Sequence, residues 1–446
     1  MRTLRKYILL FLKILFPACA AAVFLETVLH FYSDLTHFFY KGYILLAVLY
    51  GVLFLLFMHM YEGTRLDTQK LRNLILSDAI ALFFSNAIIY IVISLIALRF
   101  FNPLALLGSM LVQLTAFVLL NIICVAIIKR LFPRVRSVAL TSGSEADAEA
   151  INSIAQHDPK HYIGEIINES KITEPFDSLK EFDTVIIGSL KHETRAKLLT
   201  YCYNSGKEVL IIPAMQDILL NNSTQYIVGD KLLYTDKYEG FSTAASFIKR
   251  TFDIVFSLLG IIISSPVMAI VAIMIKSYDK GPVFFKQTRL TRNGKEFKVI
   301  KFRSMIQNAE KKGGTFLVLE GDDRITPVGR FIRSARIDEL PQLFNILKGD
   351  MSFVGPRPER PELYEIYCKT CPEFRYRLKV KAGLTGYAQV YGKYNTSAED
   401  KVRLDLLYIE KASLVQDLQL MLYTLKIIFV KESTEGIKDI DKAAKK

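Results

Sequence analysis

The feature that most constrains this chain is a set of apolar segments long enough to cross a lipid bilayer. Four lie near the N-terminus, at about 8–29, 43–60, 79–98 and 103–128. A helix of about 20 mostly apolar residues crosses the hydrocarbon core. The last three segments contain no Asp, Glu, Lys or Arg, whereas Lys13, Pro17 and Glu26 interrupt the first. The sequence predicts a membrane protein with an N-terminal four-helix transmembrane bundle over residues 1–132.

A cleaved signal peptide is the alternative for the first segment. Basic residues precede it, and Ala18-Cys19-Ala20 is similar to a cleavage site. The apolar stretch is long for a signal peptide, and three further segments follow it directly, which favours a span.

Charges in the loops predict the orientation of the bundle. Basic residues cluster before the first segment, after the second and after the fourth: Arg2, Arg5, Lys6, Arg65, Lys70, Arg72, Lys129, Arg130, Arg134 and Arg136. The two other loops carry only Lys41 and Arg99 as basic residues. By the positive-inside rule, the N-terminus and everything after Ile128 are cytoplasmic. Much of the net charge of +13 then faces the cytoplasm.

A fifth apolar run, Ile254 to Ile275, has 22 uncharged residues and basic residues on both flanks. Ser265 and Pro266 fall near its middle, where proline removes a backbone donor and serine can hydrogen-bond the freed carbonyl. We therefore predict a re-entrant membrane hairpin over 247–276 that breaks at these two residues. An ordinary spanning helix kinked at Pro266 is the alternative.

Residues 137–240 alternate between β-branched and helical stretches, which predicts a cytoplasmic Rossmann-like α/β domain. Strands are expected at 137–141, 184–187 and 208–212, and helices at 145–155 and 192–203. The first turn contains one glycine, Gly143, where a dinucleotide fingerprint has three. A structural or regulatory role is therefore favoured over cofactor binding.

The last part of the chain, predicted as an α/β catalytic domain over 277–437 with a basic tail at 438–446, contains none of the six histidines. Histidine acid/base chemistry is therefore excluded there. Cys368 and Cys371 form a lone C-x-x-C, fewer ligands than a zinc site needs, and are interpreted as incidental or buried cysteines. Carboxylates and arginines remain for chemistry.

Asp338 and Glu339 are the candidate chemical groups. Pro341 is tolerated in the first turn of a helix, so a helix is predicted to begin at Asp338 or Glu339 and to end at Gly349. At a helix N-terminus the dipole lowers a carboxylate pKa. Arg333 supplies a nearby positive charge. A surface helix cap is the alternative for this stretch.

Arg357 lies between two prolines, in Gly355-Pro356-Arg357-Pro358-Glu359. Such a backbone has little freedom, which suits a guanidinium that grips phosphate. A rigid loop with an exposed arginine is the alternative. Lys301, Arg303 and the glycine-containing run 383–390 also suit a nucleotide diphosphate, so the residues indicate phosphoryl chemistry at a cytoplasmic membrane surface.

From about Lys249 to Ile437 the chain resembles the bacterial sugar transferases, polyprenyl-phosphate hexose-1-phosphate transferases that begin polysaccharide assembly on a lipid carrier. Six pieces carry the resemblance: Ser265-Pro266, Gly281 to Gln287, Lys301 to Met305, Arg333 to Pro341, Gly355 to Glu359, and Gly383 to Gly386 with Gln389-Val390. The four N-terminal segments and the Rossmann-like domain resemble the large members of that family.

The resemblance implies that Asp338 attacks the sugar-bearing phosphate of a UDP-sugar, releases UMP and passes the sugar phosphate to undecaprenyl phosphate. It implies that Glu339 helps to hold Mg²⁺. It also implies phosphate contacts for Arg333 and Arg357, and donor contacts for Lys301, Arg303 and Gln389.

The expected partners are therefore a UDP-sugar, undecaprenyl phosphate, membrane lipid and, from the large members, a second copy in a homodimer; no nucleic acid is expected. The expected place is the bacterial inner membrane, multi-pass, with the catalytic domain on the cytoplasmic face, in capsule, exopolysaccharide or O-antigen synthesis. A glycosyltransferase that releases UDP and a non-catalytic membrane scaffold or sensor are the alternatives. We expect the transferred sugar to be glucose or galactose.

Overall fold

The computed structural model describes residues 2–428 apart from 33–39, 173, 222, 236–240, 308, 310–321 and 393–395. The predicted basic tail, 438–446, and the end of the predicted domain 277–437 lie outside the described residues. Contacts divide the chain into two compact units, Met1–Ala214 and Met215–Lys446.

Four long helices begin the first unit, one for each predicted apolar segment. Their bounds are α1 Arg2–Phe31, α2 Tyr40–Met60, α3 Leu71–Ala97 and α4 Leu104–Leu131. Helix α1 contacts α2 and α4, and α3 contacts the same two helices. All four are long and apolar enough to cross a membrane, as is one helix of the second unit. The prediction of a membrane protein with N-terminal apolar helices is confirmed.

A buried polar network connects all four helices of the bundle. Gln113 of α4 donates a 3.0 Å hydrogen bond to the carbonyl of Ala20 in α1 and accepts one of 2.9 Å from the Tyr50 hydroxyl in α2. Asn86 of α3 donates to the same hydroxyl at 2.9 Å. In an apolar surrounding, unpaired polar groups are costly, so these bonds favour one packing of the helices.

A parallel four-stranded sheet completes the first unit, in the order β2-β1-β3-β4. The elements are β1 Val135–Thr141, α5 Glu145–His157, β2 His161–Asn168, β3 Thr184–Ile187, α6 His192–Asn204 and β4 Glu208–Ile211. Alternate residues of β1 face opposite sides: Leu140 packs with Leu198 of α6, and Ala139 with Ile151 of α5. The prediction of an α/β region with a parallel sheet is confirmed.

Asp147, in the first turn of α5, connects the loops after β1 and β3. Its carboxylate accepts hydrogen bonds from the backbone N–H groups of Ser142, at 3.1 Å, and Ser189, at 3.0 Å. Loops at this edge of a doubly wound sheet commonly bind a ligand phosphate. Here a side chain of the protein accepts hydrogen bonds from two of these backbone groups. The structural or regulatory role of this region stays a prediction.

The second unit holds the remaining elements. They are α7 Met215–Leu220, β5 Thr224–Val228, β6 Lys231–Thr235, α8 Thr243–Asp279, β7 Phe284–Leu290, β8 Glu296–Phe302, α9 Pro327–Ser334, α10 Gln342–Lys348, β9 Ser352–Val354, α11 Pro361–Thr370, β10 Gly383–Thr385, α12 Tyr387–Val390, α13 Ala398–Lys411 and α14 Leu414–Ile428. Ile218 of α7 packs with Val354 and Leu406. The predicted range 137–240 therefore contains residues that pack in the second unit.

Helix α8 contains the fifth apolar run and is one continuous helix through Pro266. The predicted break at Ser265 and Pro266 is therefore not a loop between two helices. Ser264 donates a 2.6 Å hydrogen bond to the carbonyl of Gly260, and Ser265 one of 2.8 Å to that of Ile262. Re-entry into the membrane stays a prediction.

Both flanks of the apolar run contact the same folded unit. Near the start of α8, Arg250 donates hydrogen bonds of 2.7 Å to the carbonyls of Ile346 and Leu347. At its end, Asp279 accepts a 2.6 Å hydrogen bond from Arg303. Because elements of one unit contact both ends of α8, these contacts favour a segment whose two ends lie on the same side of a membrane.

Candidate active site

Asp338 and Glu339 lie in a 3₁₀ turn, Ile337–Glu339, between α9 and α10. The predicted helix is present as Gln342–Lys348 and ends at Gly349, whose φ is +97°. The carboxylates precede that helix by several residues, so the expectation that its dipole lowers both pKa values is wrong for Asp338. Burial decides the pKa of that residue.

The Asp338 side chain is 9% exposed, and its Oδ1 atom has no hydrogen-bond partner among the residues that the structure describes. Burial, and then the negative charge of Glu339, raise the pKa of the Asp338 carboxyl above its ordinary value. Lys301 and Arg333 act in the opposite direction. Asp338 is thus an enclosed carboxylate with one buried oxygen that no described residue hydrogen-bonds.

Glu339 is held by two cations at one oxygen. Its Oε1 atom accepts hydrogen bonds from Lys301, at 2.7 Å, and from Arg357, at 3.1 Å. Burial alone acts to raise the pKa of Glu339, but the charges of Lys301 and Arg357 hold it well below the usual glutamate range. Glu339 is therefore ionised at neutral pH and orients both cations beside Asp338.

Asn345 of α10 joins this turn to the strand that carries Lys301. Its side chain accepts a 3.0 Å hydrogen bond from the backbone N–H of Ile300 and donates one of 2.8 Å to the carbonyl of Lys298. Because strand β8 and helix α10 are joined by these bonds, Lys301 stays within reach of Glu339. Our sequence reasoning missed Asn345, and an asparagine within an apolar helix was the available signal.

The backbone of the Arg357 loop approaches the backbone of the 383–390 run very closely. This approach explains one glycine in each segment, Gly355 and Gly383. Gly355 N–H donates to the Thr385 carbonyl, and Gly383 N–H to the Pro356 carbonyl, each at 2.9 Å. A Cβ atom on Gly355 would lie 2.3 Å from the Lys381 carbonyl oxygen, and one on Gly383 would lie 2.1 Å from the Gly355 nitrogen. Only glycine allows this approach.

Arg303 and Gln389, which the sequence predicts to contact the UDP-sugar, lie outside the cluster of contacts formed by Lys301, Glu339 and Arg357. Arg303 is buried and pairs with Asp279 at the end of α8, at 2.6 Å through one of its two hydrogen bonds. Gln389 has both amide atoms buried and without a hydrogen-bond partner in the described part of the chain. An added Cβ on Gly386 would lie 2.9 Å from Gln389 Oε1. Donor contacts for both residues stay predictions.

The carboxylates around Glu339 could supply only part of the coordination shell of a Mg²⁺ ion. In the described ranges, no group of three or more His, Cys, Asp or Glu side chains is placed to hold a metal ion. Mg²⁺ is commonly bound by one or two carboxylates, with substrate phosphates and water as the other ligands. The adjacent carboxylates of Asp338 and Glu339 meet that description when a diphosphate donor is present.

Comparison with known proteins points to one family. The sequence family described as bacterial sugar transferase matches residues 244–431. The chain is 42% identical over 186 residues to the UDP-N-acetylgalactosamine-undecaprenyl-phosphate N-acetylgalactosaminephosphotransferase of Aeromonas hydrophila, covering 41% of this chain and 44% of that one. It is 35% identical over 238 residues to the undecaprenyl-phosphate galactose phosphotransferase of Salmonella typhimurium, covering 50% and 49%.

A third relative is matched over most of its length. The UDP-glucose:undecaprenyl-phosphate glucose-1-phosphate transferase of Caulobacter vibrioides is 38% identical over 186 residues, which cover 41% of this chain and 69% of that protein. By contrast, the chain spans about half the length of the Aeromonas and Salmonella relatives, at 44% and 49%. The names of the three relatives specify three different sugars.

Proposed function

Since the chain belongs to the bacterial sugar transferase family, we propose that it transfers a hexose-1-phosphate from a UDP-sugar to undecaprenyl phosphate. The observation that carries the proposal is the buried Asp338 carboxylate, which has an oxygen without a hydrogen-bond partner among the described residues, beside a Glu339 that Lys301 and Arg357 hold. Phosphoryl transfer needs a nucleophile and positive charge around the phosphate, and carboxylates serve as such nucleophiles.

The first step forms a covalent intermediate. A carboxylate oxygen of Asp338 attacks the sugar-bearing phosphorus atom, while the bond from that phosphorus to the bridging oxygen of the diphosphate breaks. The bridging oxygen keeps the electron pair and leaves as part of UMP. In the second step an oxygen of undecaprenyl phosphate attacks the phosphorus of the sugar-phosphoryl-aspartate. The bond to Asp338 breaks, which regenerates the carboxylate and yields the undecaprenyl diphosphate sugar.

Positive side chains neutralise the charge of the donor. Lys301 and Arg357 already lie against Glu339, at 2.7 and 3.1 Å, and can share their remaining donors with phosphate oxygens. Arg333 acts on the Asp338 carboxyl by its charge and is proposed to bind a phosphate oxygen. Bound Mg²⁺, held by Glu339 and donor phosphates, would supply further charge neutralisation at the transferred phosphoryl group.

The membrane helix α8 supports a lipid acceptor. Its central residues are apolar and strongly exposed, with Ile263 at 76% and Ile273 at 66%. An apolar surface of this extent indicates a place in lipid. We place the site at the cytoplasmic face of the bacterial inner membrane, with α8 re-entrant, so that both phosphates meet while the isoprenoid tail stays in lipid. Work in polysaccharide assembly, and a homodimer, belong to this proposal.

The deciding experiment measures products with the full chain in detergent or nanodiscs. With UDP-sugar and undecaprenyl phosphate we expect UMP, and an Asp338→Asn variant should lose activity by at least about a thousand-fold and form no covalent adduct. Asp350→Asn is the matched control, because Asp350 pairs with Lys348 at 3.2 Å. Its activity should stay within about twofold of the unmodified chain.

The identity of the leaving nucleotide decides the reaction type. Release of UDP would mean that sugar moves without its phosphate and would overturn the proposal. Polysaccharide synthesis that survives replacement of both Asp338 and Glu339 would instead favour a scaffold. A panel of UDP-glucose, UDP-galactose and their N-acetylated forms, tested for UMP release, identifies the sugar.

A further inference from the structure

The loop that presents Arg357 is fixed at every carbonyl from Pro356 to Glu359. Each carbonyl accepts one hydrogen bond, from Gly383 N–H at 2.9 Å, Arg377 at 3.1 Å, Arg289 at 3.1 Å and Leu290 N–H at 3.0 Å, in that order. Two of these donors are backbone groups of neighbouring segments, and two are arginine side chains. The loop is therefore held along its whole length.

Arg377 has the central place in this arrangement. Its Nε atom donates to Asp405 at 2.6 Å, one guanidinium nitrogen lies 3.5 Å from Glu359, and the other donates to the Arg357 carbonyl at 3.1 Å. A planar guanidinium has donors in fixed directions, so one side chain can hold three acceptors in a defined geometry. Lysine has one ammonium group and cannot reproduce that geometry.

Burial distinguishes Arg377 from Arg357. Its side chain is 4% exposed and that of Asp405 is 1% exposed, whereas the Arg357 side chain is 44% exposed. Replacing a buried ion pair by apolar residues is often neutral or stabilising, so such a pair is weak support for a purely stabilising role. The contact with the Arg357 carbonyl gives the pair a second consequence, because it fixes the backbone from which the exposed Arg357 side chain extends.

We propose that Arg377, held by Asp405, is a positioning residue that aims Arg357 at the donor phosphate and Glu339. The proposal rests on the proposed function of the site, in which Arg357 binds phosphate. A misplacement of about 1 Å in such a group can cost about a hundredfold in rate. Arg377 would therefore affect turnover through Arg357 and not by touching the substrate.

The experiment is a double-mutant cycle with Arg377→Lys and Arg357→Ala, measured as kcat/KM for UMP release. Arg377→Lys alone should lower kcat/KM by about ten- to a hundredfold and change kcat and KM in the same proportion as Arg357→Ala. In the Arg357→Ala background it should cost less than about threefold more. Independent, multiplying losses would overturn the proposal.

Arg403→Lys is the matched control, since Arg403 lies on α13 with Asp405 but pairs with Glu399 and Asp400, at 2.5 and 2.7 Å. It should leave kcat/KM within about twofold of the unmodified chain. A loss as large as that of Arg377→Lys would mean a general effect of the arginine substitutions on folding and would overturn positioning.

Hydrogen–deuterium exchange supplies a readout that does not depend on activity. The Gly383 and Leu290 amides, which donate to the loop carbonyls of Pro356 and Glu359, should exchange at least about tenfold faster in Arg377→Lys than in the unmodified chain or Arg403→Lys, because the loop loses an anchor. Unchanged exchange would overturn the positioning role. Faster exchange in a chain that releases no UMP from any UDP-sugar would leave loop positioning in place while the proposed function fails.

Discussion

The Ser265 hydroxyl donates a 2.8 Å hydrogen bond to the carbonyl of Ile262, the acceptor that Pro266 leaves without its backbone donor. A proline in a helix interior also clashes with the carbonyl four residues earlier, so helices commonly bend there. The serine satisfies the freed carbonyl at low cost in an apolar environment. The sequence Ser265-Pro266 therefore allows a bend without an unpaired polar group.

Re-entry of α8 predicts that both of its ends are accessible from the cytoplasm. Ile248 and Tyr278 are 50% and 53% exposed, so Ile248→Cys and Tyr278→Cys give reactive probes near the two ends. In inverted and right-side-out vesicles of a background without the native cysteines, both probes should react with a membrane-impermeant maleimide from the cytoplasmic side only. Labelling of the second probe from the outside would instead mean a spanning helix.

The pH dependence of kcat/KM should report the Asp338 carboxyl on its acid side. Asp338 must be ionised to attack, so activity falls as pH falls through its pKa, which burial and Glu339 raise above the ordinary aspartate value of about 3.9. Glu339→Gln removes a negative charge and should move the acid midpoint to lower pH. Lys301→Gln removes a positive charge and should move it to higher pH.

The two shifts can be measured on the residual activity of each variant, or by the pH dependence of adduct formation in a single turnover. Opposite shifts are the signature of two charges acting on one carboxylate. Shifts in the same direction, or a midpoint at or below that of free aspartate, would contradict the assignment of Asp338 as the titrating nucleophile.

Much of this fold could be predicted from the sequence because its strongest signals are local. Apolar runs of bilayer length specify α1 to α4 and α8 by composition alone, and β3 consists of four β-branched or apolar residues that are all buried. Strand β2, His161–Asn168, was missed. It is an edge strand whose burial follows no simple alternation, so its sequence carries no period-2 signal.

The carboxylates and Arg357 could be found from the sequence because their motifs are compact, whereas their supports could not. The two hydrogen-bond partners of the Asn345 side chain lie 45 and 47 residues away in the chain, and Asp405 lies 28 residues from Arg377. For Arg303 the sequence predicted a contact with the UDP-sugar. In the structure Arg303 instead pairs with Asp279, 24 residues earlier in the chain. Such pairings depend on tertiary structure and leave no spacing pattern.

Asn345 should be needed for both the stability and the geometry of the site. Asn345→Leu would leave the Ile300 N–H and the Lys298 carbonyl without their partner, at a cost of about 1–3 kcal/mol for each buried group. Asn345→Asp keeps the acceptor for the Ile300 N–H but turns a buried carboxylate oxygen toward the Lys298 carbonyl, so it should destabilise as well. The thermal unfolding midpoints of both variants should fall below that of the unmodified chain. An unchanged midpoint for Asn345→Leu would contradict this role.

Mg²⁺ should bind tightly only together with a nucleotide diphosphate. In the described residues, the two neighbouring carboxylates are too few ligands for a complete magnesium shell, so phosphate oxygens must supply others. Mn²⁺ binding can be followed by electron paramagnetic resonance. The affinity of the chain for Mn²⁺ in the presence of UDP should be at least about tenfold higher than the affinity calculated from separate binding of Mn²⁺ to the chain and to UDP. Equally tight binding to the nucleotide-free chain would contradict it.

Asp147 should stabilise the first unit through its charge. Burial acts to raise its pKa, but hydrogen bonds from Ser189 and Ser142 hold the pKa of Asp147 below the ordinary aspartate value. A lowered pKa in the folded state means that the stabilisation is present above the unfolded pKa of about 3.9 and is lost as pH falls through the folded pKa. Asp147→Asn should therefore destabilise the sheet at neutral pH.

The expected loss is about 1–3 kcal/mol, since charged acceptors of buried N–H groups are removed. Hydrogen–deuterium exchange of β1 and β3 at pH 7 should be faster in Asp147→Asn than in Glu145→Gln, a control at an exposed acid in the same helix turn. The difference between the two variants should shrink in acid, where the native carboxylate is protonated. Equal exchange of both variants at pH 7 would mean that the loops are held without Asp147.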